Sequence, residues 1–184
     1  MGLVEEIKTV FDLTNTDKGY YHGYQYMYAN LFHNFKPKSL LEIGVKNGNS
    51  ISAWQMLFPQ ASIAGLDIKK RDLVVPESSF KYVIGDSTDP NMSTDLGMFD
   101  IIIEDGSHFF LDQINTFLNF KDMFRYYYVI EDINFIANND SDPSYSLRAI
   151  KHVLEREGFR GVAVYDSLNS RKQTKSLVIQ SLNF

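Results

Sequence analysis

The chain contains no cysteine. That excludes a disulfide framework, a thiolate nucleophile and a thiolate metal site. No apolar run reaches the length of a membrane span. Met1 to Phe11 carries Glu5 and Glu6 and lacks a long apolar core, so no secretory signal is expected there. Position six is glutamate, which does not fit a myristoylation signal. Positive charge is in deficit: 18 Lys and Arg against 23 Asp and Glu leave a net charge of −5. This argues against a nucleic-acid backbone as the main partner. The four histidines, His22, His33, His108 and His152, are scattered and form no evident two-histidine-one-carboxylate site. Internal repeats, low-complexity tracts and linkers are missing too. The 184 residues are therefore expected to form one cytoplasmic domain, 1–184, with an N-terminal helical segment, 1–37, packed on it.

What is present is organised around Ser39 to Asp67. Leu40-Leu41-Glu42-Ile43-Gly44-Val45 reads as a buried strand. A glycine-bearing turn, Gly44 to Gly48, follows. Asn49 or Ser50 can cap the next helix, which carries Ile51, Trp54, Leu57 and Phe58 at helical spacing and is closed by Pro59. Ser62 to Ile68 is a second strand, with Asp67 near its end. This is a β-α-β unit with a ligand-binding turn after its first strand.

The turn selects the ligand. A dinucleotide site wants G-x-G-x-x-G, because pyrophosphate must approach backbone at a helix N-terminus. Here the spacing is G-x-x-x-G, with Glu42 two residues before the first glycine. That carboxylate would repel a pyrophosphate and suits a cation without phosphates, such as S-adenosylmethionine. Asp67 can accept hydrogen bonds from both ribose hydroxyls. The stretch resembles motif I and the acidic end of strand two in class I methyltransferases.

The remaining elements follow in order. Val4 to Leu13 is a short amphipathic helix. Tyr20 to Phe32 is dense in tyrosine, with Tyr24, Met27, Tyr28, Leu31 and Phe32 at helical spacing. Part of it is expected in the core and part beside the cofactor. Between Asp67 and the third strand, Phe80 to Ile84, there is little room for a full helix. Gly85-Asp86-Ser87 closes that strand, and its acid is placed to meet an adenine amino group, or simply forms a turn. Phe99 to Glu104 is strand four, ending in Asp105-Gly106-Ser107-His108. A helix from Phe109 to Phe124 and a fifth strand, Tyr126 to Ile130, follow, and Glu131-Asp132 ends the strand. Asn134 to Pro143 is an Asn- and Asp-rich loop that could cover a site. Tyr145 to Glu157 is a helix, and Gly161 to Tyr165 and Leu177 to Leu182 form a terminal antiparallel pair joined by the turn Asp166 to Lys175. The expected fold is α/β: a Rossmann-like, mostly parallel seven-stranded sheet with one antiparallel strand and helices on both faces.

The expected cofactor set is Glu42, Gly44, Gly48, Ser50, Asp67, Ile68, Asp86, Ser87, Asp105 and Tyr24. A second constellation lies at the ends of strands four and five. Asp105, Glu131 and Asp132 crowd three anions together unless a cation is shared. Oxygen ligands suit Mg²⁺ first, then Mn²⁺ or Ca²⁺. His108 points to the same space. The alternative is that Asp105 or Ser107 only caps the following helix.

The segments TDKGYYHGYQYMYANLF, LLEIGVKNGNSISAWQMLFP, GLDI, IIIEDGSH and YVIED resemble the metal-dependent methyltransferases of macrolide sugar hydroxyls. They are also similar to the cephalosporin-hydroxylase family. The resemblance runs from about Thr16 to Asp132. It implies that Asp105, Glu131 and Asp132 hold Mg²⁺ and that His108 is the base, so Asp105 and His108 form the catalytic pair. Two departures stand out: Glu104 where family members often have Asp, and Phe124-Arg125-Tyr126 where they often have Gly-Gly. The large extra domain of some members is missing, so the pocket for a small-molecule or glycan substrate is open or completed by another subunit of a homo-oligomer. A hydroxylase-like enzyme and a non-catalytic cofactor-binding module are the competing functions.

Overall fold

The computed structural model describes residues 2–93, 96–133, 145–166 and 175–182. Three helical segments come first: α1 (Leu3–Leu13), the single turn α2 (Asp17–Tyr20) and α3 (Gln25–Phe32). Then follow β1 (Ser39–Ile43), α4 (Asn49–Leu57), β2 (Ser62–Asp67) and β3 (Lys81–Ile84). Only a 3-10 turn, Glu77–Ser79, separates β2 from β3, so the expected lack of a full helix holds. The chain continues through β4 (Phe99–Glu104), α5 (Phe110–Phe120), β5 (Phe124–Ile133), α6 (Tyr145–Arg156), β6 (Val162–Asp166) and β7 (Lys175–Gln180).

The strands form one seven-stranded sheet in the order β3-β2-β1-β4-β5-β7-β6. The pairs from β3 to β5 are parallel, and β7 runs antiparallel to both neighbours. The expected single reversed strand is therefore β7. The expected loop over 134–143 lies outside the described residues, as does most of the expected turn before β7. No helix among the described residues is long and apolar enough to cross a membrane.

Strand alternation divides the core, because successive side chains leave a strand on opposite faces. Leu40, Ile101, Ile103 and Val129 pack with Ile7 and Phe11 of α1, Met27, Tyr28 and Phe32 of α3, and Ile51 and Trp54 of α4. Leu41, Ile43, Ile102, Tyr128 and Ile130 pack with Phe117 and Phe120 of α5 and Ile150 and Leu154 of α6. The same parity puts Glu42 on the face of α1, α3 and α4. That face is tied together by aromatic edges: Phe11 meets Trp54 at 5.7 Å and Tyr28 meets Trp54 at 4.9 Å.

Two local features shape the carboxyl edge of the sheet. Gly44 has φ +95, and a Cβ there would stand 2.1 Å from the Asp105 carbonyl oxygen. Only glycine lets the β1 turn lie this close to the end of β4. The second feature is a bulge in β5. Ile130 pairs with Leu177 and Ile133 with Lys175, so Glu131 and Asp132 together oppose Ser176. Asp132 takes φ 48, a left-handed conformation that aspartate tolerates better than most residues. Simple alternation would send these two acids to opposite faces. The bulge instead lets both reach tyrosines of the N-terminal helices.

Candidate functional site

The carboxyl edge carries two cavities. The first, of about 530 Å³, is lined by Asp17, Tyr20, His22, Gly44, Lys46, Ser50, Asp67, Arg71, Asp105, His108, Glu131 and Asp132, among others. The second, of about 290 Å³, is lined by residues including Gly44, Asp67, Ile68, Arg71, Asp86, Ser87 and Asp112. Gly44, Asp67, Arg71 and Gly106 line both, so the cavities meet at the glycine turn.

Asp67 stands at that junction. Its Oδ2 accepts the Lys46 backbone N–H at 2.9 Å, which holds the turn against β2. Its Oδ1 accepts the Lys69 N–H at 3.2 Å and Arg71 Nε at 3.0 Å. Asp86 accepts from Thr88 N–H at 2.9 Å in a local turn, as the simpler reading expected, and also lines the second cavity.

Three members of the expected cofactor set line neither cavity. Glu42 is fully buried behind the turn, where Oε2 accepts Ser50 Oγ at 2.7 Å and Trp54 Nε1 at 3.3 Å. It braces α4 rather than facing a ligand. Gly48, with φ 82, is the N-cap of α4, and a Cβ there would meet Val75. No side chain caps that helix, so neither Asn49 nor Ser50 does what their sequence suggests. Tyr24 is buried, and its hydroxyl donates to Asp132 Oδ1.

The metal constellation is assembled from β4, the segment after it, and the β5 bulge. Asp105, His108 and Asp132 each bring one potential ligand atom within 4.8 Å of the others. Glu131 lines the same cavity, but its oxygens accept Lys18 Nζ and the Tyr28 hydroxyl. Neither Asp105 nor Ser107 caps α5: its N-cap is Phe109, without a side-chain cap bond. Ser107 Oγ donates to Asp112 instead, at 2.6 Å. Glu104, the departure noted above, is buried beside these groups but lines neither cavity. Burial pushes its carboxyl well above the usual range.

The N-terminal segment grips the acids one by one. Lys18, 1% exposed, places Nζ 2.7 Å from Asp105 Oδ2 and 3.4 Å from Glu42 Oε1, in addition to its contact with Glu131. His22 Nδ1 lies 3.1 Å from Asp132 Oδ1, and its ring stacks on Tyr24 at 4.9 Å. Burial would deprotonate Lys18, but Asp105, Glu131 and Glu42 outweigh it and hold the ammonium charged. Burial would also raise Asp132, yet hydrogen bonds from His22 and Tyr24 and the charges of His22 and His108 bring it down to about 2.

No protein-family model matches the chain. Demethylmacrocin O-methyltransferase of Streptomyces fradiae is 34% identical over 110 residues, which cover 51% of this chain and 27% of that protein. A rhamnosyl-tetracenomycin-C 3'-O-methyltransferase of Streptomyces olivaceus is 32% identical over 124 residues, covering 60% of this chain and 31% of that one. The match thus spans about a third or less of the curated relatives' length. Among solved structures, the MycE methyltransferase of mycinamycin biosynthesis, in complex with Mg and SAH, superposes with a TM-score of 0.78. It is 24% identical, and the superposition covers 95% of this chain and 54% of that one. The fold is that of the class I methyltransferases.

In this methyltransferase fold the residues present suit both groups that the resemblance implies. The junction cavity is lined by Asp17, Asp67, Asp105, Glu131 and Asp132 against Lys46 and Arg71. A cationic sulfonium and ammonium fit that lining better than a pyrophosphate does. For a metal, the donors are mainly hard oxygens, which favours Mg²⁺ or Mn²⁺. Among the described residues, His108 Nδ1 is buried without a hydrogen-bond partner.

Glu42 gives the methyltransferase fold a pH signature. Burial raises its carboxyl to about 7, against the opposing pull of Lys18 and Ser50. A raised carboxyl favours the folded state at low pH. That contribution is complete below its ordinary value of 4.5 and is lost as pH rises through about 7. Thermal unfolding followed across this window should show a smaller fall in Tm for Glu42→Gln than for the native chain. Parallel curves would mean that Glu42 ionises normally in the folded state.

Proposed function

We propose that the chain is an S-adenosylmethionine-dependent, divalent-metal-dependent O-methyltransferase acting on a sugar hydroxyl of a small molecule. The observation that carries this reading is the convergence of Asp105, His108 and Asp132 in one cavity beside the Gly44 turn. The similarity to O-methyltransferases of glycosylated antibiotics supports the acceptor class. Tyr20 lines the cavity and is 65% exposed, so the acceptor side is open and suits completion by a second subunit or further chain. A cytoplasmic location fits a cosubstrate made there.

S-adenosylmethionine supplies an electrophilic methyl group on a sulfonium. Asp105, Glu131 and Asp132 would hold a divalent ion, which would supply Lewis-acid polarisation of the acceptor hydroxyl. The residues do the rest. Asp67 holds the ribose and, through the Lys46 N–H, the turn beside it. Ile68, Asp86 and Ser87 border the second cavity, which would take the adenine. Transfer forms an oxygen–carbon bond and breaks a sulfur–carbon bond, and the hydroxyl proton goes to His108. Tyr24 and His22 keep Asp132 ionised and aimed.

S-adenosylhomocysteine should raise the melting temperature, since a ligand of the native state stabilises it. Asp67→Ala should weaken that binding by at least ~1 kcal/mol, the loss of one charged hydrogen-bond acceptor. Calorimetric titration of both chains measures this. Tight binding of NAD with none of S-adenosylhomocysteine would overturn the reading of the glycine turn.

A further inference from the structure

Lys18 lies buried beside the site, and this mechanism does not use it. It sits on the single-turn α2, yet its ammonium reaches acids from three strands: Glu42 on β1, Asp105 just past β4 and Glu131 on β5. Its side chain is almost fully buried. A buried ammonium is costly to desolvate, and a buried anion without a partner is costlier still. Without it Asp105 and Glu131, and behind them Glu42, would lose their shared cationic partner. In sequence Lys18 lies in the polar run Thr14-Asn15-Thr16-Asp17-Lys18-Gly19, where a lysine ordinarily belongs to a solvated turn.

We propose that Lys18 is a positioning residue that serves as the site's resident counter-cation, holding Asp105 and Glu131 together until a divalent ion takes its place as their partner. The inference rests on the metal-dependent reading above. Two of the three acids assigned to the ion are the ones Lys18 grips. Asp132, the third, belongs to Tyr24 and His22 and is left to the ion from the start. Lys18 therefore does two opposed things. It keeps the metal-free cluster folded, and it competes with the metal for the same oxygens. Its third contact, to Glu42, connects this exchange to the residue that braces α4 behind the cofactor turn.

The two effects separate in one experiment. Mn²⁺ is titrated by electron paramagnetic resonance into the whole chain, with S-adenosylhomocysteine present, for the native protein, Lys18→Met and Lys18→Gln. Thermal unfolding is recorded for each in chelator and in saturating Mn²⁺. Both variants should melt lower in chelator and show a larger rise in Tm with Mn²⁺ than the native chain. Their Mn²⁺ dissociation constants should fall by about tenfold or more, because a unit positive charge has left contact distance of two ligands. A variant too unstable to fold in chelator should fold when Mn²⁺ is added. Folded variants that bind Mn²⁺ no tighter than the native chain would overturn the inference while leaving the metal site standing. So would variants that stay unfolded at every Mn²⁺ concentration, which would make Lys18 a plain structural tie. Absence of Mn²⁺ binding by the native chain would overturn the metal reading and this inference with it.

Discussion

Replacing His108 by alanine is expected to lower the rate of methyl transfer by about 10²–10⁴-fold, the usual cost of losing a general base. Cofactor and metal binding should stay nearly intact. The loss should be partly relieved at high pH, where an acceptor hydroxyl ionises without help. His108 shares the cavity with Asp105 and Asp132, and its Nδ1 has no hydrogen-bond partner among the described residues. Single-turnover rates measured against pH test it, with Mn²⁺ affinity measured on the same preparation. Full activity at neutral pH would remove His108 as the base. A collapse of Mn²⁺ affinity would make it a ligand, a role its distance to the two acids also permits.

Asp132→Ala should act on the metal instead. A partner that merely supports a metal ligand is worth about 10–100-fold in affinity, so loss of an anionic ligand should cost about 100-fold or more. Turnover should fall with it and recover in part at high Mg²⁺. The native carboxylate should serve over a wide range, because its depressed value of about 2 keeps it ionised. A lowered carboxyl stabilises the fold above its ordinary value of 3.8, and that contribution disappears as pH falls through about 2. Acid should therefore protonate Asp132 itself only well below pH 4. An Asp132→Ala chain with native Mn²⁺ affinity would shift the ion to Asp105 and Glu131 alone.

The sheet was legible because its central strands are continuous apolar runs. Leu40-Leu41 and Ile101-Ile102-Ile103 are buried on both faces, and such runs announce themselves without periodicity. The glycine turn was legible for a different reason: Gly44 answers to a clash that no other side chain avoids. The site was only half legible. Asp105 and His108 lie close in sequence, and their shared cavity follows from the strand that delivers them. Glu131 and Asp132 were visible as a pair of acids, but the bulge that turns both toward the N-terminal helices was not. It depends on pairing with β7, far along the chain.

The tyrosine-rich N-terminal segment divides: Tyr24 and Tyr28 are buried, whereas Tyr20, Tyr21 and Tyr26 are exposed. The ring of Tyr28 packs on Phe11 and Trp54 while its hydroxyl donates to Glu131. Helical spacing reveals the ring and says nothing of the hydroxyl. Lys18 was the larger omission. A lysine in Thr14-Asn15-Thr16-Asp17-Lys18-Gly19 looks solvated, and its burial is intelligible only once β1, β4 and β5 bring three acids to one point. The burial of Glu42 is hidden from the sequence for the same reason. Its two-residue offset from Gly44 suggested a ligand contact, but strand parity turns it inward, to Ser50, Trp54 and Lys18.

The most direct test is methyl transfer itself. The chain, S-adenosylmethionine carrying a labelled methyl group, and a panel of glycosylated small molecules are combined with Mg²⁺ or with excess chelator, and products are analysed by mass. The expected result is a labelled methyl on a sugar hydroxyl in Mg²⁺, none in chelator, and full recovery when Mg²⁺ is restored. Undiminished transfer in excess chelator would contradict the account and leave a metal-independent methyltransferase in its place.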